Sequence, residues 1–164
     1  MPGIEPKRWA STSFEPPTFD TGYFADAARA IESSVTMFRR ISSHTYVAMA
    51  IPAEEMPWWL VYIYPAPSGD GVWPVGGDMR FRVSADGRVV TESRRLHESV
   101  RQYSVRTARS ASRPLEGQPF VSGDTPEDTD VFHVLQRRPA LPELMRAGRF
   151  RYRLDVDGSI RLLP

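Results

Sequence analysis

WWLVYIY (58–64) reads as a strand, with Trp58, Leu60, Tyr62 and Tyr64 on one side and Trp59, Val61 and Ile63 on the other. A strand with a solvated face alternates apolar with polar residues. One that is apolar on both faces belongs inside a sheet and needs cover above and below. Upstream, a stretch of about 21–42 places Phe24, Ala27, Ala28, Ile31, Val35 and Phe38 at spacings of three and four, one face of a helix. Asp20 would cap it, and Asp26, Arg29, Ser33 and Arg40 fall on the opposite face. That helix covers one face of the strand. The other needs the C-terminal half, the N-terminal arm, a second subunit or another protein.

Outward from this centre, TYVAMAI (45–51) is a second strand, closed by Pro52. Two later stretches echo each other. MRFRVSADGRVV (79–90) and FRYRLDVDGSIRLL (150–163) alternate apolar residues with arginine, reach Asp-Gly and return apolar. A two-residue turn would set Leu154 against Arg161, core against solvent. A three-residue turn with a left-handed glycine pairs Leu154 with Ile160 and Tyr152 with Leu162 on one face, and register follows the buried face. The same choice sets Val83 opposite Val89 and Arg80 opposite Glu92. Between these hairpins and strands, PAPSGDGVWPVGGD (65–78) reads as a long ordered loop. Leu96, Val100 and Tyr103 permit a short helix, and SVRTARSASRPLEGQP (104–119) reads as mobile. Residues 131–136 read as a helix capped by Thr129 or Asp130 and ended by Pro139. ALPELMRAG (140–148) reads as a short helical turn.

The expected fold is therefore α+β: a long N-terminal helix packed on an antiparallel β-sheet of about five to seven strands. Residues 20–164 form one domain, preceded by an extended arm over 1–19 whose Trp9, Phe14 and Phe19 would pin it to the body. A chain of 164 residues buries an adequate core without staples. A net charge of +1 gives no overall pull toward nucleic acid or an anionic membrane. The absence of cysteine removes disulfides, zinc thiolates and thiol catalysis together. The N-terminal residues lack the apolar core of a signal peptide, which leaves the cytoplasm as the expected location.

Candidate chemistry concentrates in GDTPEDTDVFHVL (123–135). Asp124, Glu127, Asp128 and Asp130 are oxygen donors suited to calcium or magnesium, and Glu127, Asp128, Asp130 and His133 form the candidate metal set. The calcium-hand spacing is absent, however. Carboxylates at a helix start also stabilise its positive end by about 0.3–1 kcal/mol each. Capping is the preferred reading, so no metal is expected. The three histidines, His44, His97 and His133, share no ligand spacing. His97 with Glu92 or Glu98 is the candidate acid–base pair. No G-x-S-x-G elbow activates a serine, and the glycine-rich loop runs into a strand rather than a phosphate-binding helix start, so no cofactor is expected. Arg80 and Arg82 share a strand face, as do Arg149, Arg151 and Arg153. The aromatic residues of those strands lie on the other side, which disfavours a nucleic-acid-stacking sheet.

GDTPEDTDVFHVLQRRPALPELM and the aromatic strand and Asp-Gly-Ser-Ile after it, with YPAPSGDGVWPVGGDMRFRVSADGRVVTESRRLH upstream, resemble an uncharacterised bacterial protein family over roughly 60–160. That resemblance implies no activity. The acidic loop also distantly resembles the end of the JAMM metallopeptidase signature, a His-x-His pair followed by Ser-x-x-Asp. Glu127 and Asp130 have the spacing of its last pair, but Gln118 and Phe120 stand where the histidines belong. The resemblance thus implies at most a degenerate relative.

Two functions follow as expectations. One is a non-enzymatic binding protein of the immunity or accessory kind, with a protein partner or a second copy held by Trp58, Tyr62, Tyr64, Trp73 and Val75. The other is a metal-dependent hydrolase centred on 123–133.

Overall fold

The computed structural model describes residues 21–53, 56–68, 71–104, 115–116, 123–138 and 140–164. The extended arm over 1–19, Asp20, Pro139 and most of 104–119 lie outside them. The chain runs α1 (Tyr23–Met37), β1 (Tyr46–Pro52), β2 (Trp58–Pro65), β3 (Val72–Gly76), β4 (Met79–Ser84), β5 (Val90–Arg95), β6 (Val100–Ser104) and β7 (Leu115–Glu116). It continues with α2 (Asp128–Gln136), β8 (Glu143–Ala147), β9 (Phe150–Leu154) and β10 (Ile160–Leu163). The fold is α+β. In place of one sheet of five to seven strands, the strands divide into β1-β2-β4-β5, β10-β9-β8-β7 and the pair β3-β6.

As its two apolar faces require, β2 lies inside its sheet between β1 and β4. Its Trp59, Val61 and Ile63 join Phe81, Val83 and Ala30 in a core under α1. The helix is shorter than 21–42; Ala27, Ile31 and Phe38 of the expected apolar face pack on the core, but the buried face is shifted from the rest of it. Ala30 and Ser34 are buried, whereas Phe24 and Val35 are exposed. Small residues face inward because α1 abuts the β4–β5 turn. Gly87 has φ of 75°, and a Cβ there would meet the Asp26 carbonyl oxygen at 2.3 Å. Polar groups expected on the solvent side hold this contact: Ser33 Oγ donates to the Gly87 carbonyl at 2.9 Å, and Arg29 Nε to that of Asp86 at 3.0 Å. The N-cap position falls at Gly22, and the helix stops where Phe38 turns extended.

The last hairpin has the expected register, with Leu154 opposite Ile160, Tyr152 opposite Leu162 and Gly158 left-handed at φ 86°. Ile160 and Leu162 share the face of buried Leu154 but are themselves exposed. The first hairpin departs from expectation. Val83 pairs with Val90 and Arg82 with Glu92 across a bulge, which sets Arg80 opposite Arg94. Three elements differ from expectation. Residues 72–76 of the expected loop form β3, paired to β6, so the expected helix near Val100 and Tyr103 is a strand. Residues 143–147 form β8, antiparallel to β9, where a helical turn was expected. Pattern is weak in both places, because proline, glycine and arginine interrupt it; pairing with a distant strand makes β3 and β6, whereas β8 pairs with its neighbour β9 across the two-residue Gly148-Arg149 turn.

Helix α2 is the expected one. It begins with Glu127 as N-cap in a capping box with Asp130, in place of a Thr129 or Asp130 cap. Its Val134 packs with Met145 and Leu154 of the second sheet. Phe132 meets Tyr64 of β2 edge-on at 5.2 Å between ring centroids. The helix thereby supplies part of the cover that the outer face of β2 lacked.

Candidate functional site

Where α2 meets the first sheet, charged groups are packed in the interior. The register of the first hairpin opposes Arg80 to Arg94, and like charges directly opposite destabilise a sheet. The first residues of α2 resolve this. Glu127, almost fully buried, pairs with Arg94, while Asp128 accepts from Arg80 at 3.0 Å and from the Tyr62 hydroxyl. Burial and then the Asp128 carboxylate push the Tyr62 hydroxyl up to about 12. Burial raises the Glu127 carboxyl above its ordinary range despite Arg94.

Deeper, His97 lies between two carboxylates. Nδ1 is 2.5 Å from Asp78 Oδ1, and Nε2 is 3.1 Å from Asp130 Oδ1. His97 is 1% exposed and Asp78 is 0%. A carboxylate accepts, so two carboxylates on one ring require both nitrogens to carry protons. Burial opposes this charge, but the bonds that His97 donates to Asp130 and Asp78 prevail and raise it to about 10. Burial likewise opposes the Asp78 charge, and the His97 bond holds that carboxyl below its ordinary value. His97 folded therefore stays charged through neutrality. Its stabilisation is complete below the ordinary value of 6.5 and is lost as pH rises through about 10. His133 is the opposite case. Burial lowers it to about 4, and its Nδ1 lies 3.1 Å from the Gln136 side-chain nitrogen. At the far end of α2, buried Arg137 donates to Glu143 at 2.6 Å and lies 4.3 Å from the Tyr103 ring centroid.

These contacts define what the acidic segment can do chemically. A doubly protonated His97 has no lone pair for a proton or a metal. Glu127, Asp128 and Asp130 each point to a different partner, and among the described residues no three His, Asp or Glu side chains group to hold a metal ion. The pairing of His97 with Glu92 or Glu98 is corrected: Glu92 pairs with Arg82 at 3.0 Å, and Glu98 is exposed. His44 hydrogen-bonds Ser42 at 3.0 Å. Asp78, Arg94, Arg137 and Glu143 escaped the sequence reading. Asp78 had one usable signal, the β4–β5 register. Its carbonyl accepts from Leu96 at 3.1 Å, which places His97 beside it, and the register expected from sequence paired other residues.

Outside this clamp, the outer face of the first sheet remains partly open. Met49, Ile51, Tyr62, Tyr64 and Phe132 line a pocket of about 140 Å³, with Asp128 and Thr129 at its polar end. It is the size of a cavity that holds one benzene ring. Farther along the face, Arg82 stacks 5.3 Å from the Trp58 ring centroid beside Glu92. Of the expected binding residues, Tyr62 and Tyr64 line this pocket and Trp58 shares their face. Trp73 and Val75 are on β3, and Trp73 is half-buried with its indole nitrogen enclosed and without a hydrogen-bond partner among the described residues. Residues that would correspond to the JAMM histidines, Gln118 and Phe120, are outside the described residues. No family model, curated protein or solved structure matches the chain. No helix among the described residues is long and apolar enough to cross a membrane.

Proposed function

We propose that the chain is a non-enzymatic protein-binding module, of the immunity or accessory kind, that takes an apolar side chain of its partner into the pocket on the first sheet. The supporting observation is the pocket itself: an opening lined by two tyrosines, a phenylalanine, an isoleucine and a methionine, left where α2 stops covering β2. Concave apolar pockets that receive one anchor residue are typical of interface hot spots. The hydrolase alternative has less support, since each acidic side chain it needs is committed to an arginine, a tyrosine, a histidine or a helix cap.

Selection of a random peptide library on the purified protein, with Met49→Trp as the counter-target, tests this reading. Peptides sharing an aromatic or branched aliphatic residue should be enriched and should bind the filled-pocket variant at least about tenfold more weakly, a loss of 1.4 kcal/mol. Enrichment that ignores the pocket would refute it. A homodimer is the second reading, favoured by β1, a seven-residue strand at the sheet end without a charged side chain. Such edges invite pairing with another strand, and sedimentation velocity over a concentration series separates the two.

A further inference from the structure

Asp128 and Phe132 stand one turn apart on α2, so the carboxylate and the ring share a face of the helix, the one turned to Tyr62 and Tyr64 of β2. With Met49 and Ile51 of β1 they enclose the pocket of about 140 Å³ on the outer face of the first sheet. All of its lining residues lie among the described ones. Its walls are aromatic and aliphatic, whereas Asp128 is charged, with a side chain 54% exposed. Both bonds that Asp128 accepts, from the Tyr62 hydroxyl and from Arg80 Nη1 at 3.0 Å, end on Oδ2. Oδ1 accepts from none of the described residues. An ionised carboxylate has lone pairs on both oxygens, so the pocket joins apolar walls to a strong acceptor.

We propose that the partner residue taken by this pocket is a tyrosine, whose ring fills the apolar part and whose hydroxyl donates to Asp128 Oδ1. Volume, donor and charge each narrow the choice. The pocket has room for one six-membered ring, which leaves an indole too large. A phenylalanine or leucine would fill the walls but would displace water from the carboxylate and put no donor in its place. A lysine or arginine would supply the donor, but it would bring a second cation to a carboxylate that already pairs with Arg80. A phenol is neutral, apolar in its ring and a donor at its tip, and tyrosine is enriched where proteins meet for that reason. The inference rests on the protein-binding reading and narrows it to one kind of anchor.

The test is a titration of the protein, labelled at its isoleucine δ1 methyl groups, with p-cresol, toluene and 4-methylanisole, followed by NMR at Ile51. The three share the same ring. Only p-cresol carries a donor, and it is also the best hydrated, so burial of apolar area alone would make it the weakest binder. It should bind at least about tenfold more tightly than either of the others, the scale of a hydrogen bond to a charged acceptor. Met49→Trp, which fills the pocket, should abolish the Ile51 shift for all three. Toluene binding as tightly as p-cresol would overturn the tyrosine anchor and leave the apolar pocket standing. A p-cresol shift that survives Met49→Trp would overturn the anchor by placing the phenol elsewhere. No shift at Ile51 with any of the three would overturn the anchor and the pocket reading together.

Discussion

Gly87 and Gly158 share a backbone conformation and differ in their surroundings. Both sit at positive φ in Asp-Gly turns. A Cβ at Gly158 would meet nothing closer than Val131 Cγ1 at 3.6 Å, whereas one at Gly87 would strike the α1 backbone, including Ala30 N at 2.7 Å. Gly158→Ala should therefore cost only the left-handed penalty of about 1–2 kcal/mol. Gly87→Ala adds the displacement of a helix, for a total of about 3 kcal/mol or more. Thermal melts of the two variants check this, and equal losses would contradict the close approach of α1. The left-handed glycines were legible in the sequence from the Asp-Gly pairs alone. The contact of one with a helix was not, since nothing local in ADGR distinguishes it from VDGS.

At the scale of elements, α2 owes its place to charge as much as to apolar packing. Its acidic N-terminus caps the helix and also covers an arginine pair set by the first hairpin. The Arg94–Glu127 pair has one partner almost fully buried, while Arg82–Glu92 is exposed at both ends. Double-mutant cycles to glutamine should give a coupling of about 1–3 kcal/mol for the first and below about 0.5 kcal/mol for the second. Similar values for both would show that burial does not strengthen the clamp. The capping role of this segment follows from TPEDTD and the apolar run after it. Its partners do not, because they depend on a bulge at Arg82 and Val83 that shifts the register. Strand β3 is hidden because its partner β6 lies far along the chain, and β8 because ELMRA does not alternate, although it pairs with β9 across a two-residue turn.

In the whole molecule, α1 covers one face of the first sheet, and α2 links the other face to the second sheet. The two apolar faces of β2 imply cover on both sides, and the C-terminal half supplies part of it. The covering helix closes only part of that face, and the remaining pocket is where the binding reading rests. The account as a whole depends on the acidic segment being a structural clamp rather than a centre of proton transfer or metal binding. An NMR pH titration of the His97 and His133 ring resonances in the folded protein tests this most directly. His97 should remain protonated through neutrality and titrate near 10, while His133 should remain neutral until the pH falls to about 4. A His97 that titrates between 6 and 7 would contradict the clamp, because it would leave an ordinary imidazole beside two carboxylates, ready for acid–base chemistry.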